Sequence, residues 1–473
     1  MTLDLVIVGM GSGGLVAAEF AAGLGLQVAA VERARLGGDC LWTGCVPSKA
    51  LIASARVAHT MRTAHRVGIT AVEPEMDLPA VWRRAREVQA EIAATDDNPH
   101  RYRDLGVELY TGTARLTGPT QVTVLQADGT ELQLDTRFVL LCTGSRPHLP
   151  AIDGLDDSWC LTSETVFDLV TPPASLTIIG GGPMGVEMAQ ALQRLGVSTT
   201  ILQRAHTLLP REEPSLVAVL TEVLQAEGVV VHTSADVRSL ERRPDGSVRT
   251  HAIVGDAGHH VRVESGGVLV AAGRTPSTAG LGLDELGIAV GAGGIEVDAR
   301  GRTAVRTVYA AGDVAGGRRL TNVAGYEAVR AVRDMFFPGK SGKPAAVPAC
   351  VFTDPELASI GLSADAAEAA FGVDTDVWRI DLTHNDRART DARAEGSVMV
   401  ITAKGRIVGA HVLAPAAGEM IHELSLAIHR ELRLDELAES VHVYPTLSGA
   451  IGQLATESAH EKALRLRWLM KRR

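Results

Sequence analysis

Two short apolar strands, each running directly into a glycine turn and then a helix, constrain this 473-residue chain more than any other feature. The first unit reads as a strand from Leu3 to Val8, the turn Gly9-Met10-Gly11-Ser12-Gly13-Gly14, an alanine-rich helix from Leu15 to Leu24, and a second strand from Gln27 to Val31 that ends at Glu32. Gly9, Gly11 and Gly14 allow the tight turn and let backbone N–H groups approach a pyrophosphate at the helix N-terminus, while Glu32 stands where an acid binds a ribose hydroxyl. The glycine run alone is weak; strand, turn, helix, strand and acid in this order describe a dinucleotide-binding unit. The pattern recurs as a strand from Leu176 to Ile179, the turn Gly180-Gly181-Gly182-Pro183-Met184-Gly185, a helix from Val186 to Leu195 and a strand from Ser198 to Leu202. Gly180, Gly182 and Gly185 take the three glycine positions. The acidic position is now Gln203, followed by Arg204. Loss of the acid removes repulsion against a 2′-phosphate, and the forked guanidinium of Arg204 can hold one, which points to NADPH. Gly185 as third glycine is common in NADH-binding units and Arg204 by itself is an ordinary surface arginine, so NADH stays open.

Between the two units lies Gly37-Gly38-Asp39-Cys40-Leu41-Trp42-Thr43-Gly44-Cys45-Val46-Pro47-Ser48-Lys49. No second Cys/His pair at metal spacing completes a tetrahedral cage with Cys40 and Cys45, and Cys142, Cys160 and Cys350 are scattered, so no metal site is expected. The pair reads as a redox-active dithiol beside a cofactor that feeds it electrons; the alternative is two buried structural thiols. Pro47 suits a first helical position and predicts a helix from Pro47 to about Thr63. Cys45 then lies near a helix N-terminus, where the dipole favours a thiolate.

A third signature is the short strand in Thr303 to Asp313, which ends in Gly312-Asp313. An aspartate there can accept bonds from a polyol such as a flavin's ribityl chain, or simply cap a turn. Two more glycine turns flank the second unit. Thr143-Gly144-Ser145-Arg146-Pro147 follows a strand from Phe138 to Cys142, and Gly273-Arg274-Thr275-Pro276 follows one from Val268 to Ala272. They suit a chain leaving one nucleotide domain for another, and make Thr143, Gly144, Gly273 and Arg274 candidate cofactor-side residues.

The length allows about three domains. Abundant glycine (49 residues) and few aromatics (4%) suit α/β sheets with many tight turns. A net charge of −10 argues against a nucleic-acid partner, and five cysteines in so long a chain argue against a secreted disulfide scaffold. The N-terminus has no basic n-region or cleavage pattern, and no apolar run reaches about 18 residues. The expectation is a cytoplasmic protein without an integral membrane segment.

Taken together, these residues resemble the pyridine nucleotide–disulfide oxidoreductases, the group holding glutathione reductase, dihydrolipoamide dehydrogenase and mercuric reductase. Val351-Phe352-Thr353-Asp354-Pro355-Glu356-Leu357-Ala358-Ser359-Ile360-Gly361 looks like the start of that family's C-terminal dimerisation domain. The resemblance implies an α/β fold: two Rossmann-like dinucleotide-binding domains plus a C-terminal α+β dimerisation domain, assembled as a homodimer with FAD and NADPH or NADH. It divides the chain into a first part of the FAD domain at 1–148, a NAD(P) domain at 149–272, the second part of the FAD domain at 273–345 and the dimerisation domain at 346–473. It makes Cys45 the thiol nearest the flavin and Cys40 the outer thiol that meets the acceptor. Lys49 sits near flavin N5, paired with Glu187, because a buried lysine needs a counter-charge to keep its proton.

The C-terminus departs from the family. Its thiol-reducing members carry a histidine before a Pro-Thr and a glutamate a few residues on, acting from the neighbouring subunit as base and orienter. Here the segment reads Val441-His442-Val443-Tyr444-Pro445-Thr446-Leu447-Ser448-Gly449, with Tyr444 and Gly449 at those positions. A tyrosine is a poor base at neutral pH. His442, two residues earlier, points the same way in an extended chain but roughly 6–7 Å displaced. The expected function is therefore NAD(P)H-dependent reduction, through FAD and Cys40–Cys45, of a small-molecule electron acceptor of mercuric-reductase or quinone type; mercuric reductases also lack the histidine, and Gly38-Asp39-Cys40 and Asp386-Arg387-Ala388-Arg389 look most like their branch. The chain lacks the vicinal C-terminal cysteines that deliver mercury in that branch. The alternatives are a disulfide reductase with a displaced base and a non-enzymatic redox sensor. The basic, apolar tail from Leu464 to Arg473 reads as a final helix or a membrane-surface contact, and His422-Glu423 as part of a surface helix.

Overall fold

In the computed structural model, which describes residues 2–469 except 157 and 340–345, both glycine turns lie at the C-terminal ends of parallel strands. Strands β1 (Leu3–Val8), β2 (Val28–Glu32) and β3 (Glu108–Thr111) run parallel in the order β3-β2-β1. The second half of the strand Glu131–Leu141 pairs with the far side of β1, and Val308–Ala310, from much later in the chain, adds beside it. Leu5, Val6 and Ile7 are wholly buried, as befits a parallel strand covered on both faces. The first half of Glu131–Leu141 instead joins an antiparallel meander with Gln121–Leu125 and Thr113–Gly118. The second nucleotide unit is a parallel sheet in the order Val230–His232, Ser198–Leu202, Ser175–Ile179, Val268–Val270. The chain crosses to it and back through one short antiparallel pair, Ser145–Pro147 against Arg274–Pro276, made from the two turns that sequence placed at domain exits.

The C-terminal unit is a five-stranded antiparallel sheet in the order Ala349–Val351, Glu356–Gly361, Arg406–Ala414, Ser397–Ala403, Thr375–Asp381. Helices Ala417–His429 and Gly449–Arg465 bury Leu424, Ile451 and Leu454 in its core. No helix among the described residues is long and apolar enough to cross a membrane. The tail's helix ends at Arg465 with Lys462 and Arg465 in its last turn, while residues 470–473 lie outside the described residues.

Three helix starts fall earlier than the sequence suggests. Helix α1 spans Ser12–Gly23 and its counterpart in the second unit spans Pro183–Arg194, each three residues ahead of expectation. The third glycine of each turn is already helical. A Cβ on Gly14 would lie 1.9 Å from the Gly9 carbonyl oxygen, and one on Gly185 would lie 2.0 Å from that of Gly180. Two further helices follow β2: α2 (Gly38–Trp42), absent from the sequence reading, and α3 (Cys45–Thr63). The expected start of α3 at Pro47 is corrected to Cys45. Pro47 sits inside the first turn, where a missing N–H costs no intrahelical bond.

Helix α3 is where the units meet. Its Leu51, Ile52 and Ala55 share one apolar cluster with Trp82 and Ala85 of the helix Leu78–Thr95, Val186 and Ala189 of the second unit, and Val351 and Leu357 of the C-terminal unit. Polar contacts follow the same seam. Glu187, Gln190 and Arg194 lie on one stripe of their helix, and all three hold the segment after Val351. Glu187 accepts the Phe352 N–H at 2.9 Å, Gln190 exchanges two 2.8 Å bonds with the Asp354 backbone, and Arg194 pairs with Asp354 at 2.8 Å and Glu227 at 2.6 Å. Burial pushes the Asp354 carboxyl upward, but the Arg194 and Arg393 charges outweigh it and hold it below the usual carboxylate value.

Arg194→Ala strands two acids and should cost about 3–5 kcal/mol, as for breaking a buried pair, seen as a lower denaturant midpoint. Because the Asp354 pKa is depressed in the fold, that part of the stability is fully present above about pH 4 and fades as pH falls through the lower folded value. The gap between native and variant midpoints should narrow only on acidification.

Candidate redox-active site

Cys40 rides on α2 and Cys45 opens α3, with only Thr43 and Gly44 between the two helices. Both are half-buried thiols, and the Cys45 Sγ lies 3.4 Å from the Thr321 hydroxyl. The hydrogen bond from Cys40 draws the Cys45 thiol below its ordinary value; burial opposes this, and Thr321 and the Lys49 charge reinforce it. Cys40 moves the other way, because its proton is the one shared with Cys45 and because it is buried. In the reduced pair these contacts favour the thiolate on Cys45 and the proton on Cys40.

Lys49 lies one turn beyond Cys45 on the same face of α3. Its Nζ is 2.8 Å from Glu187 Oε2 and 4.4 Å from the centre of the Phe352 ring. The Glu187 carboxylate, almost fully buried, therefore joins Lys49 to the backbone of Phe352. The pairing of Glu187 with Lys49 was expected from the family resemblance, on Gly185-Val186-Glu187; nothing marked Phe352 beyond its place in the C-terminal segment.

The dithiol opens on a cleft of ≈ 630 Å³, which brings together Gly9, Gly11, Glu32, Thr143, Gly144, Arg274, Gly312 and Asp313. The Gly9 backbone has a φ of +95°, and a Cβ there would meet the Cys142 carbonyl oxygen at 2.5 Å, so the turn itself needs that glycine. Gly11 faces the cleft, and its counterpart Gly182 has no atom within 4 Å of an added Cβ. The middle glycine of each turn thus leaves room for a pyrophosphate. Neither helix that follows carries a side-chain cap, so its first N–H groups remain available to an anion.

Glu32 accepts the N–H of Met10 at 2.8 Å and of Ala34 at 2.9 Å. Gln203 does the equivalent work in the second unit, accepting from Gly181 N at 3.0 Å and donating to the Thr207 carbonyl at 3.2 Å. A neutral amide therefore keeps the loop closed where the first unit uses a charge, and Arg204 beside it is exposed. Across the cleft, Asp313 accepts from the Ser145 hydroxyl and lies 3.7 Å from Arg274. Arg274 also bonds the Ser145 side chain at 2.7 Å and carbonyl at 2.9 Å and pairs with Asp39. Gly273 accepts the His148 N–H at 3.0 Å behind the crossover. Thr143 donates to the Ser277 carbonyl at 2.8 Å. Thr321, Ser145 and Asp39 were not foreseen as site residues; Thr321 carries no local motif, whereas the other two lay inside runs already read for other reasons.

Tyr444 stands apart, in a groove of ≈ 570 Å³ on the C-terminal unit that shares no lining residue with the dithiol cleft. It is 78% exposed, and its hydroxyl donates to Asp386 Oδ2 at 2.9 Å, a bond that pushes the phenol's pKa upward. His442 is engaged on both sides: Nε2 lies 3.0 Å from Glu423 Oε1 and Nδ1 3.2 Å from the Ser440 carbonyl. Both ring nitrogens thus have an oxygen within hydrogen-bond distance. Gly449 begins the last long helix and supplies no acid. His422 is exposed on its helix, and among the described residues no group of three or more His, Cys, Asp or Glu is placed to hold a metal ion.

Lys49→Met should move the midpoint of Cys45 ionisation up, and Glu187→Gln should move it further down, since the two charges act in opposite senses. The check is the pH dependence of Cys45 alkylation in a Cys40→Ser background. Identical midpoints in the three proteins would contradict this electrostatic reading.

Comparison with known proteins agrees with this geometry. The family model for pyridine nucleotide-disulphide oxidoreductase matches residues 3–328, and that for the same family's dimerisation domain matches 347–455. A dihydrolipoyl dehydrogenase of Bacillus subtilis is 33% identical over 96% of this chain and 97% of its own, and a mercuric reductase of Streptomyces lividans is 35% identical over 95% and 94%. Among solved structures, the Cu(II) complex of RclA, an HOCl-induced flavoprotein disulfide reductase of Escherichia coli, superposes with a TM-score of 0.85 at 25% identity, covering 97% of this chain and 99% of that one.

Proposed function

The chain belongs to the pyridine nucleotide-disulphide oxidoreductases, enzymes that use FAD and NAD(P)H, and from that premise we propose an NADPH-dependent, homodimeric reductase whose acceptor is a soft metal ion or a quinone. The observation that carries this reading is Tyr444 at the position where the thiol-reducing members have their histidine: its hydroxyl donates to Asp386, a bond that raises the phenol's pKa and makes it a poor base. Reduction of a disulfide substrate needs a proton delivered to the leaving thiol; a metal ion held by thiolates, or a quinone, does not need a base there in the same way.

Gly9, Gly11, Gly14, Glu32, Thr143, Gly144, Gly312 and Asp313 would hold FAD, with Arg274 and Gly273 shaping the crossover beside it. Bound there, FAD supplies the exchange between a two-electron nicotinamide donor and the dithiol. Cys45, held as a thiolate, is the thiol on the flavin side; Lys49, fixed by Glu187, keeps a positive charge beside it. Cys40, protonated at rest, is the outer thiol and releases its proton when it bonds an acceptor. Gly180, Gly182 and Gly185 would seat the nicotinamide dinucleotide, and Arg204 would favour a 2′-phosphate. The S. lividans relative is named for mercury and the RclA structure holds Cu(II); Hg(II) is a soft ion suited to a thiolate pair, and reduction of Cu(II) gives Cu(I), the copper ion that thiolates select.

Three outcomes test the proposal. Turnover with quinones, dyes, Hg(II) or Cu(II) should exceed turnover with lipoamide or glutathione disulfide by about 10²–10⁴-fold, the usual worth of a positioned base, and Tyr444→Phe should leave dye reduction nearly unchanged. Efficient lipoamide turnover would transfer the function to a disulfide reductase using His442. NADPH should have the lower KM, with Arg204→Ala losing about 1.5–3 kcal/mol of that preference; equal efficiencies for NADPH and NADH in the native enzyme remove the argument. The Cys40→Ser holoprotein should absorb beyond the flavin's own long-wavelength limit at neutral pH, and Cys45→Ser should not.

A further inference from the structure

The sequence between the cysteines closes on itself in a way that the proposed reaction leaves unused. Asp39, immediately before Cys40, accepts the Thr43 hydroxyl on its Oδ1 at 2.6 Å, and its carbonyl accepts the Thr43 N–H at 2.9 Å. The next residue, Gly44, is pressed against the same carbonyl: a Cβ there would sit 2.9 Å from it. The other carboxylate oxygen of Asp39 is taken by Arg274, which is itself tied to both the side chain and the carbonyl of Ser145. The five residues from Asp39 to Thr43 are therefore clamped at both ends around Cys40, and the clamp is anchored to the crossover between the two nucleotide units.

We propose that Asp39 and Thr43 form a positioning clamp that sets how readily the Cys40–Cys45 disulfide forms. This inference rests on the reading of that pair as a redox couple. Closing the disulfide requires Cys40 on α2 and Cys45 on α3 to be held at bonding distance. The fraction of time they spend there sets the effective concentration of one thiol for the other, and hence the equilibrium of the exchange. In that exchange one glutathione disulfide is reduced to two glutathiones while the Cys40 and Cys45 thiols lose two protons and two electrons to form one S–S bond. Without the Thr43 bond, Gln89 still holds the Leu41 and Trp42 carbonyls and Arg274 still holds Asp39, but no side-chain bond ties Thr43 back to Asp39, and the closed pair loses ground to the open dithiol. Neither residue reaches the reacting sulfurs through its own bonds, so the effect is on geometry.

The experiment equilibrates the FAD-loaded enzyme in glutathione redox buffers, quenches with acid and counts free Cys40 and Cys45 thiols by mass after alkylation. Thr43→Val, which keeps the shape and removes only the hydroxyl, should lower the equilibrium constant for disulfide formation about five- to tenfold, a rise of about 20–30 mV in potential. Asp39→Ala, which also releases Arg274, should lower it at least as much, and adding Thr43→Val to Asp39→Ala should change nothing further, because the hydroxyl has already lost its acceptor. Thr43→Ser should restore the native value, and the thermal midpoint of Thr43→Val should match that of the native enzyme. A Thr43→Val constant within twofold of native, or additive losses in the double variant, overturns the clamp while leaving the redox couple standing. A native enzyme with no reversible Cys40–Cys45 couple overturns the function and the clamp together.

Discussion

The acid that meets Lys49 comes from a different folding unit. Glu187 lies almost fully buried on the first helix of the second nucleotide unit, while Lys49 lies on the helix that begins with Cys45. The same carboxylate accepts the backbone of Phe352 at the start of the C-terminal unit. One acid thereby fixes the charge beside the dithiol and the mutual placement of three units. Removing one partner of such a pair leaves an uncompensated buried charge, which is why an ion pair of small net stability can still specify an arrangement. The Gln190 and Arg194 contacts to Asp354 extend this seam along the same helical stripe.

The chemistry follows from how the two thiols divide one proton. Cys45 lies at a helix start, against Thr321 and within the field of Lys49, while Cys40 is buried and donates to it. The asymmetry favours the thiolate on Cys45 and the proton on Cys40. In the two glycine turns the third glycine is packed against the carbonyl of the first, while an added Cβ would meet nothing within 4 Å at Gly182 and only the Gly38 Cα, at 3.6 Å, at Gly11.

Much of this was legible in the sequence because the informative residues are local. Strand, glycine turn and helix sit within some thirty residues of one another, so Gly9, Gly11, Gly14 and Glu32, and their counterparts around Gly180, could be read as units. Cys40, Cys45 and Lys49 share one short run. Helix starts were misplaced by two or three residues because the third glycine looks like a turn residue yet is already helical, and because Pro47, read as the first helical residue, lies two places inside the first turn. What stayed hidden depends on contacts between distant segments: Thr321 against Cys45, Phe352 against Glu187, and Arg274 joining Asp39 to Ser145. The loop role of Gln203 was hidden for another reason. Its loss of charge was visible, but that it makes the same bond to the turn that Glu32 makes required the fold.

The central claim is that electrons pass through Cys40 and Cys45 as well as the flavin. Anaerobic titration with a two-electron reductant measures this directly, because the capacity of the protein counts its redox centres. The account predicts that the oxidised native enzyme takes up two equivalents per flavin and that Cys40→Ser and Cys45→Ser each take up one. A native enzyme that is fully reduced by a single equivalent would contradict it.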